Sequence, residues 1–188
     1  MGAIFLELFG HILITLVAAL GYLTYFKNPK ISYLSIYCAG WSDVGGFVSG
    51  KMWGKDKWVK NISPSKTKQG VIGAIILPTC ILMIFYVLGQ LSNGYLAIKM
   101  PAIDYILIGL ICGSLSILGD LIESFIKRCS NVKDSANLVP EHGGVMDRID
   151  SLALVTPFLF IYANQLALIQ DKTDYSPDSI HFLQLFTY

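Results

Sequence analysis

The sequence predicts an all-α fold: a polytopic integral membrane helix bundle of about five transmembrane helices around a polar cavity that faces the cytoplasm. Three observations carry this expectation. Of 188 residues, 54% are hydrophobic and only 14% charged, against about 25% charged in a soluble domain, and the mean hydropathy is +0.57. The apolar residues gather into runs near the ~20 residues that a membrane helix needs. The charges are concentrated instead of scattered, most densely in SFIKRCSNVKDSANLVPEHGGVMDRID, Ser124 to Asp150, between two apolar segments. Inside a membrane protein such a cluster is costly unless it handles a charged ligand.

The elements follow in order. Ala3 to Phe26 is the first span, interrupted by Glu7 and His11. No Lys or Arg precedes it and it runs too long for a cleavable signal, so a retained helix is expected. Ile31 to Gly50 is a weaker span with Asp43 and several glycines, broken or re-entrant if not fully spanning. Lys51 to Gln69 reads as a polar, lysine-rich loop. Val71 to Leu91 is a strong span, and Ser92 to Pro101 a turn-rich connector. Ala102 to about Ile126 is a long helix whose last third turns polar. Asn131 to Gly144 reads as a loop, followed by a final helix from near Val145 to Ile169. The chain is expected to be one membrane-embedded domain over 1–188, with N-terminal helices in 1–42, catalytic blocks in 43–151 and a polar tail in 171–188. The four cysteines form no CxxC pair and no zinc-ligand spacing, so no disulfide is expected.

Orientation follows from Lys and Arg. Loop 51–69 and segment 127–148 hold ten of the fourteen basic residues. Two spans separate them, which puts both on the same side, the cytoplasmic one. The bacterial inner (cell) membrane is the expected location. The net charge of +1 gives no reason to expect a nucleic acid partner. Most of the lysines in 51–69 suit anionic lipid headgroups.

Asp120, Glu123 and Lys127 fall at i, i+3 and i+7, on one helical face; Ser124 and Arg128 form the adjacent face. Asp147 and Asp150 make a DxxD pair. Carboxylates are hard donors suited to Mg²⁺, which takes one or two of them together with waters and substrate phosphates. Helix-dipole stabilisation is the plainer account of an acidic pair at a helix start. With Asp120 entering from another helix, Asp120, Asp147 and Asp150 become a candidate metal site. Gly143 and Gly144 permit close backbone approach to phosphate oxygens, or a simple turn. His142 is an acid, a ligand or a structural group. Ser63, Lys66 and Thr67 offer donors ahead of a helix, a possible triphosphate grip. Asp43 is placed to contact a ribose, a base or a cation, or to pack between helices. The GxxxG spacings at Gly46/Gly50 and Gly109/Gly113 read as helix packing.

The order Ser124, Lys127, Arg128, Lys133, Asp134, Pro140, His142, Gly143, Gly144, Asp147, Arg148, Asp150 resembles the signature of phosphatidate cytidylyltransferases, also called CDP-diacylglycerol synthases. The glycine-rich block from Asp43 to Gly54 and the block Ser63, Pro64, Lys66, Thr67, Gly70 are similar to the family too. Gln69 stands where the family usually has Glu, and Lys51 where Arg is common. The resemblance implies CTP and phosphatidic acid as substrates, CDP-diacylglycerol and pyrophosphate as products, Mg²⁺ as cofactor with a second cation left open, and a lipid bilayer as the setting. It implies Lys66 and Thr67 on the CTP phosphates. Ser124, Lys127, Arg128 and Lys133 would take the lipid headgroup or pyrophosphate, and Arg148 would brace the site. Oligomeric state stays open, a homodimer included. Three rivals are a CTP-dependent lipid kinase of the dolichol type, a CDP-archaeol synthase, and a transporter or scaffold without catalysis.

Overall fold

The computed structural model describes residues 2–59, 62–92, 98, 100–129 and 149–172, with side chains between Leu8 and Leu166. Among the described residues five helices carry the fold: α1 (Gly2–Lys27), α2 (Pro29–Trp53), α3 (Lys68–Leu91), α4 (Ala102–Cys129) and α5 (Leu152–Lys172). A small antiparallel hairpin, β1 (Lys57–Val59) and β2 (Ser63–Thr67), lies between α2 and α3. Among the described residues, α1, α3 and α4 contain stretches long and apolar enough to cross a membrane. Their outward faces present Ile12, Leu16, Ile76, Ile84 and Leu118, as a lipid-facing surface does. The chain is an all-α membrane helix protein.

Consecutive helices alternate in direction. Asn28 caps α2 by accepting from Lys30 N (3.1 Å), with Pro29 in the first turn, so α2 starts directly after α1. In α2, Gly45 approaches Gly73 and Leu77 of α3, while Gly50 approaches Thr67 and Gly70. In α4, Gly109 meets Thr79 of α3, while Gly113 meets Ala74 and Ile75. Both pairs are therefore antiparallel, and glycine is what lets the backbones approach. The GxxxG reading holds at Gly109 and Gly113. On α2 the tightest approach is made by Gly45 with Gly73 of α3, one position before the predicted Gly46. A Cβ on Gly109 would lie 2.6 Å from Thr79 Cα, main chain that cannot rotate away. Overpacking of this kind costs about 1–3 kcal/mol. Gly109→Val is expected to lower the melting temperature of the detergent-purified protein by about 5 °C or more, read by thermal unfolding.

The apolar core lies towards the end of the bundle formed by the start of α4. Ile31, Leu34 and Cys38 of α2 pack there against Leu82, Tyr105, Ile108, Cys112, Val155 and Leu159. Tyr105 bridges the connector before α4: its hydroxyl accepts from Ile98 N (3.0 Å) and donates to Ile98 O (2.9 Å). Asp104 is fully buried and accepts from the Tyr162 hydroxyl at 3.0 Å. The first turn of α4 also favours its charge. All four cysteines are free thiols, Cys38 and Cys112 buried, Cys80 and Cys129 exposed.

One expectation is corrected. The described residues of 51–69 do not form a plain loop. Helix α2 continues through Trp53, and the lysine-rich stretch folds back as the hairpin, pairing Lys57 with Thr67 and Val59 with Ser63. Lys68 N donates to Asp56 O (2.9 Å) and Lys55 N to Gln69 Oε1 (3.3 Å), closing the hairpin onto the start of α3. The last helix is described from Leu152, and the expected start near Val145 lies outside the described residues. Asp150 and Ser151 form the turn before it, with Asp150 Oδ1 accepting from Ser151 N (2.7 Å) and Asp150 O from Ala153 N (3.2 Å).

Candidate active site

The alternating directions bring the C-terminal ends of α2 and α4, the hairpin, the start of α3 and the turn before α5 to one end of the bundle. They enclose a cavity of about 810 Å³. Among the described residues its walls carry four carboxylates, Asp43, Asp120, Glu123 and Asp150, and three ammonium groups, Lys51, Lys66 and Lys127.

Helix periodicity explains most of this. On α4, Ser116, Asp120, Glu123 and Lys127 recur at three- and four-residue steps and share the cavity face. On α2, Asp43, Gly46, Phe47, Gly50 and Lys51 do the same. Lys66 arrives from β2 and pairs with Asp120 Oδ2 at 2.5 Å. Lys127 pairs with Glu123 Oε2 at 3.2 Å along the helix. Ser151 Oγ donates to Asp43 Oδ1 at 2.8 Å, joining α2 to the turn before α5. Thr67 lines the cavity while its Oγ1 caps α3, accepting from Gly70 N at 3.1 Å. With Lys68 N turned to Asp56 O, this helix end offers its dipole more than bare N–H groups.

Of the residues singled out by sequence, Asp43, Lys66, Thr67, Asp120, Lys127 and Asp150 line the cavity. Three others are held away from its lining. Ser63 is buried in β2, its Oγ 3.4 Å from that of Ser65. Ser124 Oγ donates to Asp120 Oδ1 at 3.4 Å, so it steadies the carboxylate from behind. Arg128 Nε donates to Ile62 O at 3.3 Å, tying the end of α4 to the hairpin. Lys133, Asp134, His142, Gly143, Gly144, Asp147 and Arg148 lie outside the described residues. Gln69 is not in the cavity wall; it lines an apolar groove of about 490 Å³ on the other side of α2 and α3. Glutamine at this position therefore takes no carboxylate from the cavity.

The sequence reading did not select Lys51 or Glu123 as site residues. Lys51 was hidden by ending the second span at Gly50; one further helical turn puts it four residues after Phe47, whose ring lies 5.7 Å from its Nζ. Glu123 was visible on the Asp120 face but also readable as an interfacial partner for Lys127. It is 2% exposed, and its Oε1 is buried with no hydrogen-bond partner. Among the described residues, no three His, Cys, Asp or Glu side chains converge closely enough to hold a metal ion by themselves.

Burial, and next the Asp120 charge, push the Asp150 carboxyl up from its ordinary 3.8 to about 6; hydrogen bonds from Glu123 and Ser151 N oppose this, and Asp43 adds to it. The folded protein thus holds a proton on Asp150 that the unfolded chain has already released above pH 4. Its stabilising contribution is full below that pH and is lost as pH rises through about 6. In metal-free buffer, the melting temperature is expected to fall between pH 4 and 6. Asp150→Asn should flatten that part of the profile.

Fold and site together define a membrane-embedded helix bundle with a mixed-charge cavity at one end. The model of the cytidylyltransferase family matches residues 2–166, and the chain belongs to this family. It is 40% identical over 126 residues to the phosphatidate cytidylyltransferase of Haemophilus influenzae, covering 66% of this chain and 43% of that protein. It is 40% identical over 132 residues to that of Bacillus subtilis, covering 69% and 46%. It is 35% identical over 135 residues to that of Synechocystis, covering 70% and 42%. The matched segment makes up less than half the length of each of these relatives.

Proposed function

We propose that the protein transfers a cytidylyl group from CTP to phosphatidic acid, giving CDP-diacylglycerol and pyrophosphate, at the cytoplasmic face of a bacterial cell membrane. The observation that carries this reading is the cavity itself: four carboxylates and three lysines gathered at one end of a membrane bundle. Family membership and the names of the relatives point the same way. Among the described residues, Lys51, Lys55, Lys57, Lys66, Lys68, Lys127 and Arg128 gather at the cavity end of the bundle, which supports the cytoplasmic orientation.

The reaction needs no protein nucleophile. A phosphatidate phosphate oxygen forms a bond to the α-phosphorus of CTP. The bond from that phosphorus to its bridging oxygen breaks, and pyrophosphate departs with the electron pair. The protein has to bring two polyanions together and hold the leaving group, which is a matter of positioning and charge. Lys66, with Lys51 across the cavity, would bind the triphosphate near the positive end of the α3 dipole, and Thr67 would shape that end. Lys127 would meet the lipid headgroup or pyrophosphate. Ser124 and Arg128, turned from the cavity, would act by holding Asp120 and the hairpin.

A divalent cation fits the residues present. The donors are hard carboxylate oxygens, the buried Glu123 Oε1 beside them lacks a hydrogen-bond partner, and Mg²⁺ takes few protein ligands when phosphates supply the rest. Asp120 and Asp150 would hold it, together with Asp147 from outside the described residues. When bound, Mg²⁺ would neutralise phosphate charge and favour departure of pyrophosphate.

The test uses CTP labelled either in cytidine or in the γ-phosphate, with purified protein, phosphatidate and Mg²⁺. The cytidine label is expected in the lipid product and the γ label in pyrophosphate. A lipid carrying the γ label would identify a lipid kinase and overturn the proposal.

A further inference from the structure

Among the described residues, Glu123 is the cavity carboxylate with a buried oxygen that has no hydrogen-bond partner, and its position asks for an explanation. It sits between two groups with opposite requirements. Through Oε2 it holds Lys127 Nζ at 3.2 Å, with the lysine side chain only 13% exposed. On its other side it meets the Asp150 carboxyl, and two acids can bond only through a proton; no other group donates to Oε1. A buried carboxylate oxygen without a donor is costly, and a solely structural acid at the end of a helix would be more stable turned to water. Glu123 is instead 2% exposed and faces the cavity.

We infer that Glu123 is a positioning residue: its buried carboxyl fixes Lys127 on the anion side and Asp150 on the cation side of the cavity, so that the two ligands meet in one geometry. The inference rests on the proposed reaction only in naming what Lys127 and Asp150 contact. Glu123 stays behind them. Its length matters because it spans from its own helix, α4, to the turn that enters α5. Glutamine keeps that length and removes the charge. Aspartate keeps the charge and withdraws it by one methylene, breaking both contacts.

The deciding experiment measures Mn²⁺ affinity by electron paramagnetic resonance on the full chain in detergent, without nucleotide or lipid. Glu123→Gln and Glu123→Asp are compared with the parent and with Asp150→Asn, with thermal unfolding to show that each is folded. Both Glu123 variants are expected to bind Mn²⁺ about tenfold or more weakly, the range for residues that orient a metal ligand. Both should also raise the KM for phosphatidate more than they lower kcat. Parental affinity in folded Glu123→Asp would reduce Glu123 to a bare charge and overturn the inference; parental affinity in Glu123→Gln would do the same. Parental affinity in Asp150→Asn would remove the cation-side contact and overturn the inference too. Absence of cytidylyl transfer by the parent would count against the proposed function alone, since the Mn²⁺ measurement needs no turnover.

Discussion

Asp120→Asn is expected to insert and fold as the parent does, and to lose about 10²–10³-fold of CTP-dependent turnover, the scale for removing one preorganised charge from a reacting centre. The substitution is nearly isosteric. Asparagine can still accept the hydrogen bond from Ser124 Oγ, and the side chain is 34% exposed in the cavity wall, so the packing cost is small. What disappears is the negative charge that opposes Lys66 and would hold the cation. Turnover measured with labelled CTP, beside a melting curve, separates the two effects. Parental turnover in the folded variant would remove Asp120 from the metal site.

Why Asp120 could be found by sequence, and part of its surroundings could not, has a physical basis. An ionisable residue deep in an apolar run is expensive and tends to face a cavity, so Asp43 and Asp120 stood out. Helical period then placed Glu123 and Lys127 beside Asp120. The same local rule fails across elements. Ser124 and Arg128 share an adjacent α4 face, yet what they contact is set by Asp120 itself and by Ile62 in the hairpin. The hairpin was obscured because lysines and a proline dominate residues 51–69, and polar composition reads as loop whether or not strands pair. Its pairing depends on closure against α3, through Lys55 with Gln69 and Lys68 with Asp56, contacts that composition does not encode. Gln69 shows the converse: adjacent in sequence to the Lys66 block, it belongs to the opposite face of α3 because consecutive helical residues point about 100° apart.

The Lys66–Asp120 pair leads to the second large effect. The two groups assigned to opposite ligands, phosphate and cation, neutralise each other at 2.5 Å. A cation arriving alone at Asp120 must displace an ammonium group. A triphosphate arriving alone draws Lys66 away and leaves a carboxylate facing more negative charge. Only when both bind does each protein group keep a partner of opposite sign. Metal and nucleotide are therefore expected to strengthen each other's binding, reciprocally, by the 5- to 150-fold typical of such coupling. Lys66→Met should separate the contributions. Mn²⁺ affinity without nucleotide should rise, because the competitor is gone. CTP affinity should fall by about 10–100-fold, in keeping with the loss of a charge-assisted contact of roughly 1.5–3 kcal/mol, and most of the coupling should vanish. Lys66→Met combined with Asp120→Asn should cost less than the sum of the two single changes, because the residues act as a pair. Titrations of Mn²⁺ with and without CTP read all of these quantities. Unchanged cation affinity together with intact coupling in Lys66→Met would mean that the ion pair is only a link between the hairpin and α4.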